Sequence, residues 1–297
     1  MRDSNLKEID LTNLQIHAGS RVSIFVHWSK NDVISNHDRE LINSLALEFD
    51  QIIVMCNLNK SKSFEKNDQN DLRKNVKLIN RVNTGYDFGA YQAGLTILRP
   101  LANLIDEILL MNNSVYKLHD SLTPLMSSVR NSDFDVTAIT NSREKGLHLQ
   151  SYFLHLKKTV LAKDEFWNWF EELQVSDSRF VTIDKLEIPF AQIIESFGLS
   201  SGALWDFDNL FDFYFSSAAS SLLLDFRSEW GWFVGSKEFL KGKMLNPTHY
   251  MWPHLLELGC PFLKKDLFRN KDLYLGIDNW ERFVKSPQMI ALVKESV

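Results

Sequence analysis

A turn that joins two apolar runs carries the side chains best suited to binding chemistry. The run Val76–Val82 is typical of a strand, and the residues after Phe88 have the apolar spacing of a helix. The turn between them reads Asn83-Thr-Gly-Tyr-Asp-Phe-Gly89, with Asp87 inside it. Backbone amides and a helix N-terminus at such a connection can bind an anion. A carboxylate there can bind a ribose, a sugar hydroxyl or a metal ion.

The glycines of this region exclude two common nucleotide-binding motifs. Gly85, Gly89 and Gly94 do not have the spacing of the dinucleotide fingerprint, and the Gly-Lys-Ser/Thr of a phosphate-binding P-loop is absent from the sequence. An alternative interpretation is that the glycines only allow a helix to pack closely on a strand. The turn by itself leaves both interpretations open.

A second polar segment ends the next apolar run. Glu107–Met111 is followed directly by Asn112, Asn113 and Ser114. We expect the two runs to form neighbouring strands, whose polar ends would create a ligand crevice at the carboxyl edge of an open sheet. An asparagine-rich turn with no ligand is the alternative interpretation.

Glu187 is the candidate for acid–base chemistry. It comes just before a predicted helix that has Pro189 near its first turn and is closed by Gly198. An acid at that place can face a cleft and act as general base on an acceptor hydroxyl. It can equally stabilise the helix dipole without any catalytic role.

Further polar residues form three groups with a possible binding role. The first begins the strand-like run after Gly146 and adjoins the predicted crevice. The second is a histidine that follows a helix start at Asn246, where Thr248 is the expected cap. The third is a basic cluster that is either solvated surface or a diphosphate contact. The first group is His148, Gln150, Ser151 and Tyr152, the second is His249, and the third is Lys264, Lys265 and Arg269.

The order of the predicted elements indicates an α/β fold with a mostly parallel sheet, because strands alternate with helices of similar length. We predict a core at residues 1–199 and a C-terminal helical and aromatic extension at residues 200–297, packed together as one continuous domain. Residues 57–75 are predicted to form a loop, and the elements of residues 205–232 cannot be placed. The predicted strands are 21–28, 51–56, 76–82, 107–111, 135–140 and 148–156, and the predicted helices are 88–101, 121–129, 166–173 and 189–197, with one more after Ser35.

Composition excludes several classes of protein. With 297 residues and a net charge of −5, the chain has no broad basic surface for nucleic acid. No apolar run approaches the ~20 residues that span a bilayer, and the first residues lack the apolar region of an export signal. Cys56 and Cys260 are expected to be buried free thiols, as in a reducing compartment. We therefore expect a cytoplasmic protein that associates at most peripherally with the inner face of the membrane.

Several ordered segments resemble the rhamnan-synthesis protein F family of bacterial surface-polysaccharide biosynthesis. The resemblance covers residues 20–275 and implies a Rossmann-like, A-type (GT-A) glycosyltransferase fold. It also implies transfer of rhamnose or a similar sugar from a nucleoside-diphosphate sugar to a cell-surface glycan. The segments are Asn83-Thr-Gly-Tyr-Asp-Phe-Gly-Ala-Tyr91, Leu110–Tyr116, His148–Phe153, Glu187, Asn246-Pro-Thr-His249, Trp252 and Gly259–Arg269.

The resemblance implies roles for individual positions. Asp87 matches the acid of the family pattern Gly-Arg-Asp-Phe-Gly, in which Tyr86 replaces the arginine. Asn112-Asn113-Ser114 matches Asn-Asp-Ser, so Asn113 replaces an acid that could hold Mg²⁺ or Mn²⁺, and metal use stays undecided. Glu187 matches the acid that serves as base in related A-type transferases.

These observations predict a sugar transferase that builds a lipopolysaccharide O-antigen or a capsule. Its donor would lie against His27, Asn83–Gly89 and Asn112–Ser114, with Lys264 and Arg269 at the diphosphate. A lipid-linked glycan acceptor would contact His148, Gln150–Tyr152 and His249, and other assembly enzymes are possible partners. Two alternatives stay open. One is a non-catalytic module that binds a glycan or a partner enzyme, which the loss of the acid at Asn113 favours. The other is a nucleotide-sugar hydrolase or epimerase.

Overall fold

The computed structural model describes residues 14–58, 71–214, 246–269 and 277–297, and the structural statements below refer to these residues. Most of the predicted loop at residues 57–75 and most of residues 205–232 lie outside the described parts. The first strand, first helix and second strand are Ser20–Trp28, Asn36–Leu45 and Gln51–Leu58, close to their predicted positions.

A central sheet of eight strands organises the fold. Its order is β3-β2-β1-β4-β8-β6-β7, and β9 also pairs with β6. The pairs β1–β2, β2–β3, β1–β4 and β6–β9 are parallel, whereas β8 is antiparallel to both of its neighbours. The predicted fold class, α/β with a mostly parallel sheet, is confirmed. The strands are β1 (Ser20–Trp28), β2 (Gln51–Leu58), β3 (Val76–Val82), β4 (Ile105–Asn112), β6 (Val136–Ser142), β7 (His148–Leu149), β8 (Phe153–Lys157) and β9 (Ser201–Trp205).

A second, two-stranded sheet joins the C-terminal part to the core. β5 (Val115–Lys117) follows β4 directly and pairs antiparallel with β10 (Phe262–Lys264). The described α-helices are α1 (Asn36–Leu45), α2 (Tyr86–Leu98), α3 (Thr123–Arg130), α4 (Lys158–Leu161), α5 (Asp164–Glu172), α6 (Arg179–Thr182), α7 (Phe190–Ser196), α8 (Phe207–Tyr214), α9 (Pro247–Tyr250), α10 (Trp252–Glu257), α11 (Asp266–Arg269) and α12 (Pro287–Ser296). Two 3₁₀ segments span Arg99–Leu104 and Ile277–Phe283, and a π-helical turn spans Ile183–Glu187.

Both faces of the main sheet are covered, so its central strands β1, β2 and β4 are buried along most of their length. In β2, Ile52 and Val54 pack into one core cluster, and Ile53 and Met55 pack into a second cluster on the opposite face. This alternation follows from the two-residue period of a strand. The first cluster contains residues of α1, α3 and the C-terminal helices, and the second contains residues of α2, α5 and α7. Cys56 and Cys260 are buried and free, as expected.

Glycine is required in the turn before α2 for more than one reason. Gly85 and Tyr86 both have left-handed backbone conformations, with φ of 74° and 52°. A Cβ at Gly89 would collide with the carbonyl oxygen of Thr84, and one at Gly94 would lie 2.8 Å from Cγ2 of Ile24 on β1. Close packing is therefore the role of Gly94, whereas Gly85 and Gly89 shape the turn itself.

The structure corrects four predictions about the elements. β3 and β4 are not neighbours, because β2 and β1 lie between them. The predicted strand 148–156 is broken into β7 and β8 by residues 150–152, and the predicted helix 88–101 starts at Tyr86 and becomes 3₁₀ after Leu98. The cap of α9 is Asn246 rather than Thr248, since the Asn246 side chain accepts the backbone N–H of Thr248.

Candidate active site

The carboxyl ends of the parallel strands bring several of the predicted site residues together. β3 and β4 end at this edge, and the antiparallel β8 begins there, because the backbone N–H of Asn112 donates to the carbonyl of Tyr152. We call the group formed by Asp87, Asn112, Ser114, Glu187 and Lys264 the edge site. Asp87, Ser114, Glu187 and Lys264 are each partly exposed, although burial still dominates the electrostatics of Asp87 and Lys264.

Asp87 reaches β4 although two strands separate β3 from β4. Strand spacing of about 4.8 Å places the ends of β3 and β4 roughly 14 Å apart, a distance that the connection Asn83–Tyr86 spans. Oδ2 of Asp87 accepts a hydrogen bond of 2.8 Å from Nδ2 of Asn112. Burial and the negative charge of Glu187 raise the pKa of Asp87 to about 6, against the opposing effects of Lys264 and Asn112.

Glu187 is held at the edge site by the break between β7 and β8. Its Oε1 accepts hydrogen bonds from the backbone N–H of Ser151 at 3.1 Å and from its hydroxyl at 2.7 Å. The hydroxyl of Tyr91 on α2 donates to the carbonyl of Ser151 at 2.9 Å and holds the break between β7 and β8 in place. Glu187 ends the π-helical turn and precedes α7, which begins after Pro189 as predicted.

Lys264 brings a positive charge that acts on both acids. Its Nζ donates to Oγ of Ser114 at 3.1 Å and lies 4.2 Å from the centroid of the Tyr152 ring. Burial lowers the pKa of Lys264 to about 8, and the negative charges of Glu187 and Asp87 act in the opposite direction. The ammonium is therefore the counter-charge of the edge site and is mostly protonated at neutral pH.

Three further charged or titratable groups surround the edge site. Burial, with the charge of Lys264, lowers the pKa of His249 to about 4, so its imidazole is neutral at pH 7. The exposed Arg179 and the partly exposed Asp266 act electrostatically on both His249 and Lys264. A neutral His249 suits hydrogen bonding to a sugar better than proton donation.

Two predicted donor-binding residues, His27 and Asn113, face a different group, which we call the Asp38 cluster: His27, His37, Asp38, Asn113 and Lys265. Nε2 of His27 lies 3.3 Å from Oδ2 of Asp38, and Nδ2 of Asn113 donates to the same oxygen at 3.0 Å. Asn113 also exchanges hydrogen bonds with the backbone of Trp28. A direct donor contact by His27 or Asn113 stays a prediction.

Two of the five predicted acceptor residues, Gln150 and Tyr152, lie in a buried polar network behind the edge site. Oε1 of Gln150 accepts from Thr140, and Nε2 of Gln150 donates to Oδ1 of Asn246 at 3.0 Å. The hydroxyl of Tyr152 shares a hydrogen bond of 3.2 Å with Thr140. This network connects β6, the β7–β8 break and α9, so it positions the buried Ser151 and the partly exposed His249 beside the edge site.

The remaining predicted residues lie at the margins. His148 is buried with Nδ1 2.8 Å from the carbonyl of Gly146, and Asn83 is partly exposed at the end of β3. Arg269 is exposed and lies 3.6 Å from Asp266 on its own short helix. Its contact with a diphosphate stays a prediction.

Sequence reasoning missed Asp38, Arg179 and Asp266 as members of this region. Asp38 follows the helix cap Ser35 by three residues, a pattern that indicates only a helix start. Arg179 and Asp266 gave no local signal, because their positions depend on how α6 and α11 pack against the sheet edge.

The described residues of the edge site form no cluster that would hold a divalent cation by itself. The described residues include no group of three or more His, Cys, Asp or Glu side chains that could hold a metal ion. Oδ1 of Asn112 already accepts the backbone N–H of Ser114 at 3.0 Å, and Asn113 is engaged by Trp28 and Asp38. Positive charge acts on Asp87 from the ammonium of Lys264 and from the guanidinium of Arg179, and Lys264 also acts on Glu187.

The chain belongs to the family described as rhamnan synthesis protein F, whose model matches residues 52–228, more than half of the chain. Virulence protein VirA of Vibrio anguillarum is 27% identical over 206 residues, which cover 65% of this chain and 62% of VirA. Uncharacterized protein y4gN of Sinorhizobium fredii is 26% identical over 173 residues, 55% of this chain and 45% of that protein. The chain thus spans less than two thirds of the length of these relatives.

Solved glycosyltransferase structures are similar at low identity. The glycosyltransferase GlyE of Streptococcus pneumoniae matches 95% of this chain and 61% of its own, at 13% identity and a TM-score of 0.43. The galactosyltransferase LgtC, in complex with donor and acceptor sugar analogues, matches 61% of this chain and 72% of its own, at 14% identity and a TM-score of 0.32. Both TM-scores are below 0.5, so neither similarity supports a conclusion about activity. No helix in the described residues is long and apolar enough to cross a membrane.

Proposed function

We propose that this protein is a GT-A glycosyltransferase that moves a sugar such as rhamnose from a nucleoside-diphosphate sugar to a growing cell-surface polysaccharide. The observation that carries the proposal is the edge site, where Asp87, Glu187 and Lys264 meet at the carboxyl ends of parallel strands. Ligands of open α/β sheets bind at this edge. Membership of the rhamnan synthesis protein F family supports the choice of sugar chemistry.

In this proposal Glu187 is the general base. Its Oε1 is held by Ser151, whereas Oε2 takes part in no hydrogen bond among the described residues and is free to accept a proton. The acceptor hydroxyl gives its proton to Glu187 and attacks the anomeric carbon of the donor. The bond from that carbon to the diphosphate oxygen breaks, and its electron pair leaves with the nucleoside diphosphate.

Asp87 and Lys264 act on the donor. The carboxylate of Asp87, oriented by Asn112, accepts hydrogen bonds from donor hydroxyls. The ammonium of Lys264 lies on Ser114, where it can pair with the diphosphate as negative charge develops. Positioned charge of this kind acts most strongly in the transition state, because that is when the leaving group becomes fully charged.

The acceptor would approach from the side of Ser151 and His249. We propose a lipid-linked glycan of an O-antigen or capsule, met at the inner face of the membrane. We also propose that residues 1–199 and 200–297 form one continuous domain. The pairing of β10 with β5 and the edge-to-face contact of Tyr116 with Phe268, at 5.4 Å between centroids, support that arrangement.

The test is a transfer assay with a panel of nucleotide-sugars and a lipid-linked acceptor. Glu187→Gln is expected to lower the transfer rate by about 10²- to 10⁴-fold while donor binding by calorimetry persists. Glu195→Gln is the matched control, since Glu195 is an exposed glutamate on the adjacent α7. Equal rates for Glu187→Gln and the native protein would remove Glu187 from the mechanism.

A non-catalytic module that binds a glycan or a partner enzyme is the second candidate. The observation that favours it is Asn113, whose side chain is bound to Trp28 and Asp38 rather than directed into the edge site. Glycan binding without turnover of any donor in the panel would select this second function.

A further inference from the structure

In two pairs of consecutive residues, Asn112 with Asn113 and Lys264 with Lys265, the first residue belongs to the edge site and the second to the Asp38 cluster. Asn112 donates to Asp87, whereas Asn113 donates to Asp38. In the same way Lys264 donates to Ser114 at the edge site, whereas Nζ of Lys265 donates to Oδ1 of Asp38 at 2.7 Å. Each pair lies where a strand ends, and its two side chains leave the backbone in different directions, so fixing one member of a pair restricts the position of the other.

Within the Asp38 cluster, the ion pair of Asp38 and Lys265 is buried and has several polar contacts. The side chains of Asp38 and Lys265 are 4% and 9% exposed. Nε2 of His27 lies 3.3 Å and Nδ1 of His37 3.6 Å from the Asp38 carboxylate. A buried ion pair with this number of partners is held in one geometry, because moving it would leave a charge uncompensated.

The other side of the arrangement places one ammonium where a transferase needs positive charge. β10 carries Lys264 alongside β5, with Lys264 opposite Val115, and the backbone N–H of Lys265 donates to the carbonyl of Ser114 at 3.0 Å. The Lys264 side chain returns to Ser114 at the end of β4. Its charge acts on both Asp87 and Glu187.

We propose that Lys264 supplies the positive charge that neutralises the leaving diphosphate in place of a divalent cation, and that Asp38 is the positioning residue that holds Lys264 there through Lys265. This inference rests on the proposed function. As the anomeric carbon–oxygen bond breaks, the electron pair goes to the diphosphate oxygen, and the Lys264 ammonium forms a charge-assisted contact with the phosphate.

The geometry of the acids favours the ammonium over a metal. Mg²⁺ is usually bound by one or two carboxylates together with substrate phosphates. Asp87 and Glu187 are the carboxylates of the edge site, and the family position that could add a further one is Asn113, an amide already engaged by Trp28 and Asp38. A cation beside Asp87 and Glu187 would also be repelled by the ammonium of Lys264.

The first experiment measures nucleotide binding with and without metal. The full chain is dialysed against EDTA and titrated by calorimetry with uridine, thymidine and guanosine diphosphates, then titrated again with Mg²⁺ or Mn²⁺. We expect at least one nucleotide to bind with affinities that agree within about twofold in all conditions. Binding that is at least tenfold tighter with metal overturns the inference but leaves the proposed transferase standing. Failure of all three nucleotides to bind in every condition refutes the donor site and the proposed function with it.

The second experiment replaces the ammonium. Lys264→Met is expected to lower the transfer rate in EDTA by about 10²- to 10³-fold, as for loss of one charge-stabilising group, and Lys264→Arg to retain most of it. Lys158→Met is the matched control, because Lys158 is 67% exposed and pairs with Asp106 at the opposite edge of the sheet. A Lys264→Met rate equal to that of the control overturns the role of Lys264.

The third experiment tests whether Asp38 acts through Lys264. Asp38→Asn is combined with Lys264→Met in a double-mutant cycle that measures kcat and nucleotide affinity separately. We expect Asp38→Asn to lower the rate about tenfold or more in the native background and less than twofold in the Lys264→Met background. Lys265→Gln removes the ion pair from the other side and should give the same pattern.

Effects that multiply in the double variants overturn the positioning role, because Asp38 would then act independently of Lys264. If both Asp38→Asn and Lys265→Gln fail to fold, the ion pair belongs to fold stability alone, and the positioning role is equally overturned. Asp38→Glu, which keeps the charge, is expected to recover part of the rate lost in Asp38→Asn.

Discussion

Asp38 and Asp87 occupy matching places in two strand–helix connections, yet they behave in opposite ways. Each lies in the first turn of the helix that follows a parallel strand, Asp38 after β1 and Asp87 after β3. Each accepts a hydrogen bond from one residue of the Asn112–Asn113 pair. Burial alone raises the pKa of Asp38, but His27, His37 and Lys265 together hold it well below its usual value. The pKa of Asp87 is raised to about 6 instead.

The difference lies in the partners and not in the local backbone. Asp38 has a buried cation and two imidazoles around it, whereas Asp87 has one amide donor, a neighbouring acid, a shared ammonium and the charge of the exposed Arg179. A charge that is fully compensated stabilises the fold, and a charge that is left under-compensated is available to a ligand. The two aspartates thus separate stability from chemistry at one edge of the sheet.

The largest expected effect comes from removing the charge of Asp38, the aspartate whose charge is compensated by its neighbours. Asp38→Asn leaves the buried ammonium of Lys265 without its counter-charge, so we expect a loss of about 3–5 kcal/mol in the free energy of unfolding. Urea denaturation followed by circular dichroism measures it. Asp87→Asn is the matched control and is expected to cost no stability at pH 7, because its pKa is raised and the ionised form is disfavoured in the folded state. Equal losses of unfolding free energy in the two variants would contradict the proposed difference between Asp38 and Asp87.

A second compensated acid extends the comparison to the opposite edge of the sheet. Burial raises the pKa of Glu107, but hydrogen bonds from His155 and Arg130 bring it below its usual value. Its stabilisation is present above an unfolded-state pKa of about 4.3 and disappears as the pH falls below that value. We expect Glu107→Gln to cost ~2 kcal/mol at pH 7 and much less at pH 3. Denaturant unfolding at both pH values measures this, with the exposed Glu172→Gln as control.

Loss of the Asp87 charge, which its neighbours compensate only in part, is expected to lower the affinity for the donor. Asp87→Asn should weaken the affinity for the nucleotide-sugar donor by about 1.5 kcal/mol, roughly tenfold, because a charged hydrogen-bond acceptor is lost. Calorimetry with the donor measures the change, and unchanged affinity would show that the turn at Asp87 is structural. The same measurement on Asp38→Glu should show a smaller change, since that residue has no direct donor contact in the proposal.

The pH dependence of nucleotide binding sharpens the comparison further. The pKa of Lys264 is lowered to about 8, so the ammonium is mostly present at pH 7 and mostly lost at pH 9. We expect the affinity for a nucleoside diphosphate to fall by up to about tenfold between these values. Lys264→Arg stays charged throughout and should remove most of that dependence. A native affinity that is constant from pH 7 to 9 would contradict the role of Lys264.

Local sequence signals were sufficient for the elements that carry the site. The apolar runs at residues 51–56 and before Asn112 predicted strands that the structure contains. Ser35 predicted the start of α1, and Pro189 and Gly198 predicted the ends of α7. Each of these signals depends on a few neighbouring residues, so each can be recognised without knowledge of the rest of the fold.

Predictions that needed partners distant in the chain were less complete. The run 148–156 looks continuous, but Gln150 and Tyr152 turn inward to Asn246 and Thr140, and the strand breaks there. β3 and β4 looked adjacent because they are consecutive around α2, whereas strand order depends on where β1 and β2 insert. Asn112 and Asn113 were both predicted to bind the donor, and in the structure they donate to different aspartates.

The sequence by itself determined the class of fold, the carboxyl-edge location of Asp87 and Asn112, and the family to which the chain belongs. Hydrophobic periodicity and turn residues are local, and they specify strands, helices and the ends at which polar groups collect. Tertiary structure alone decided which acid is compensated, since Lys265 meets Asp38 across 227 positions of sequence and Lys264 meets Ser114 across 150. The charge environment of a carboxylate depends on all groups packed around it, and packing brings those groups from every part of the chain.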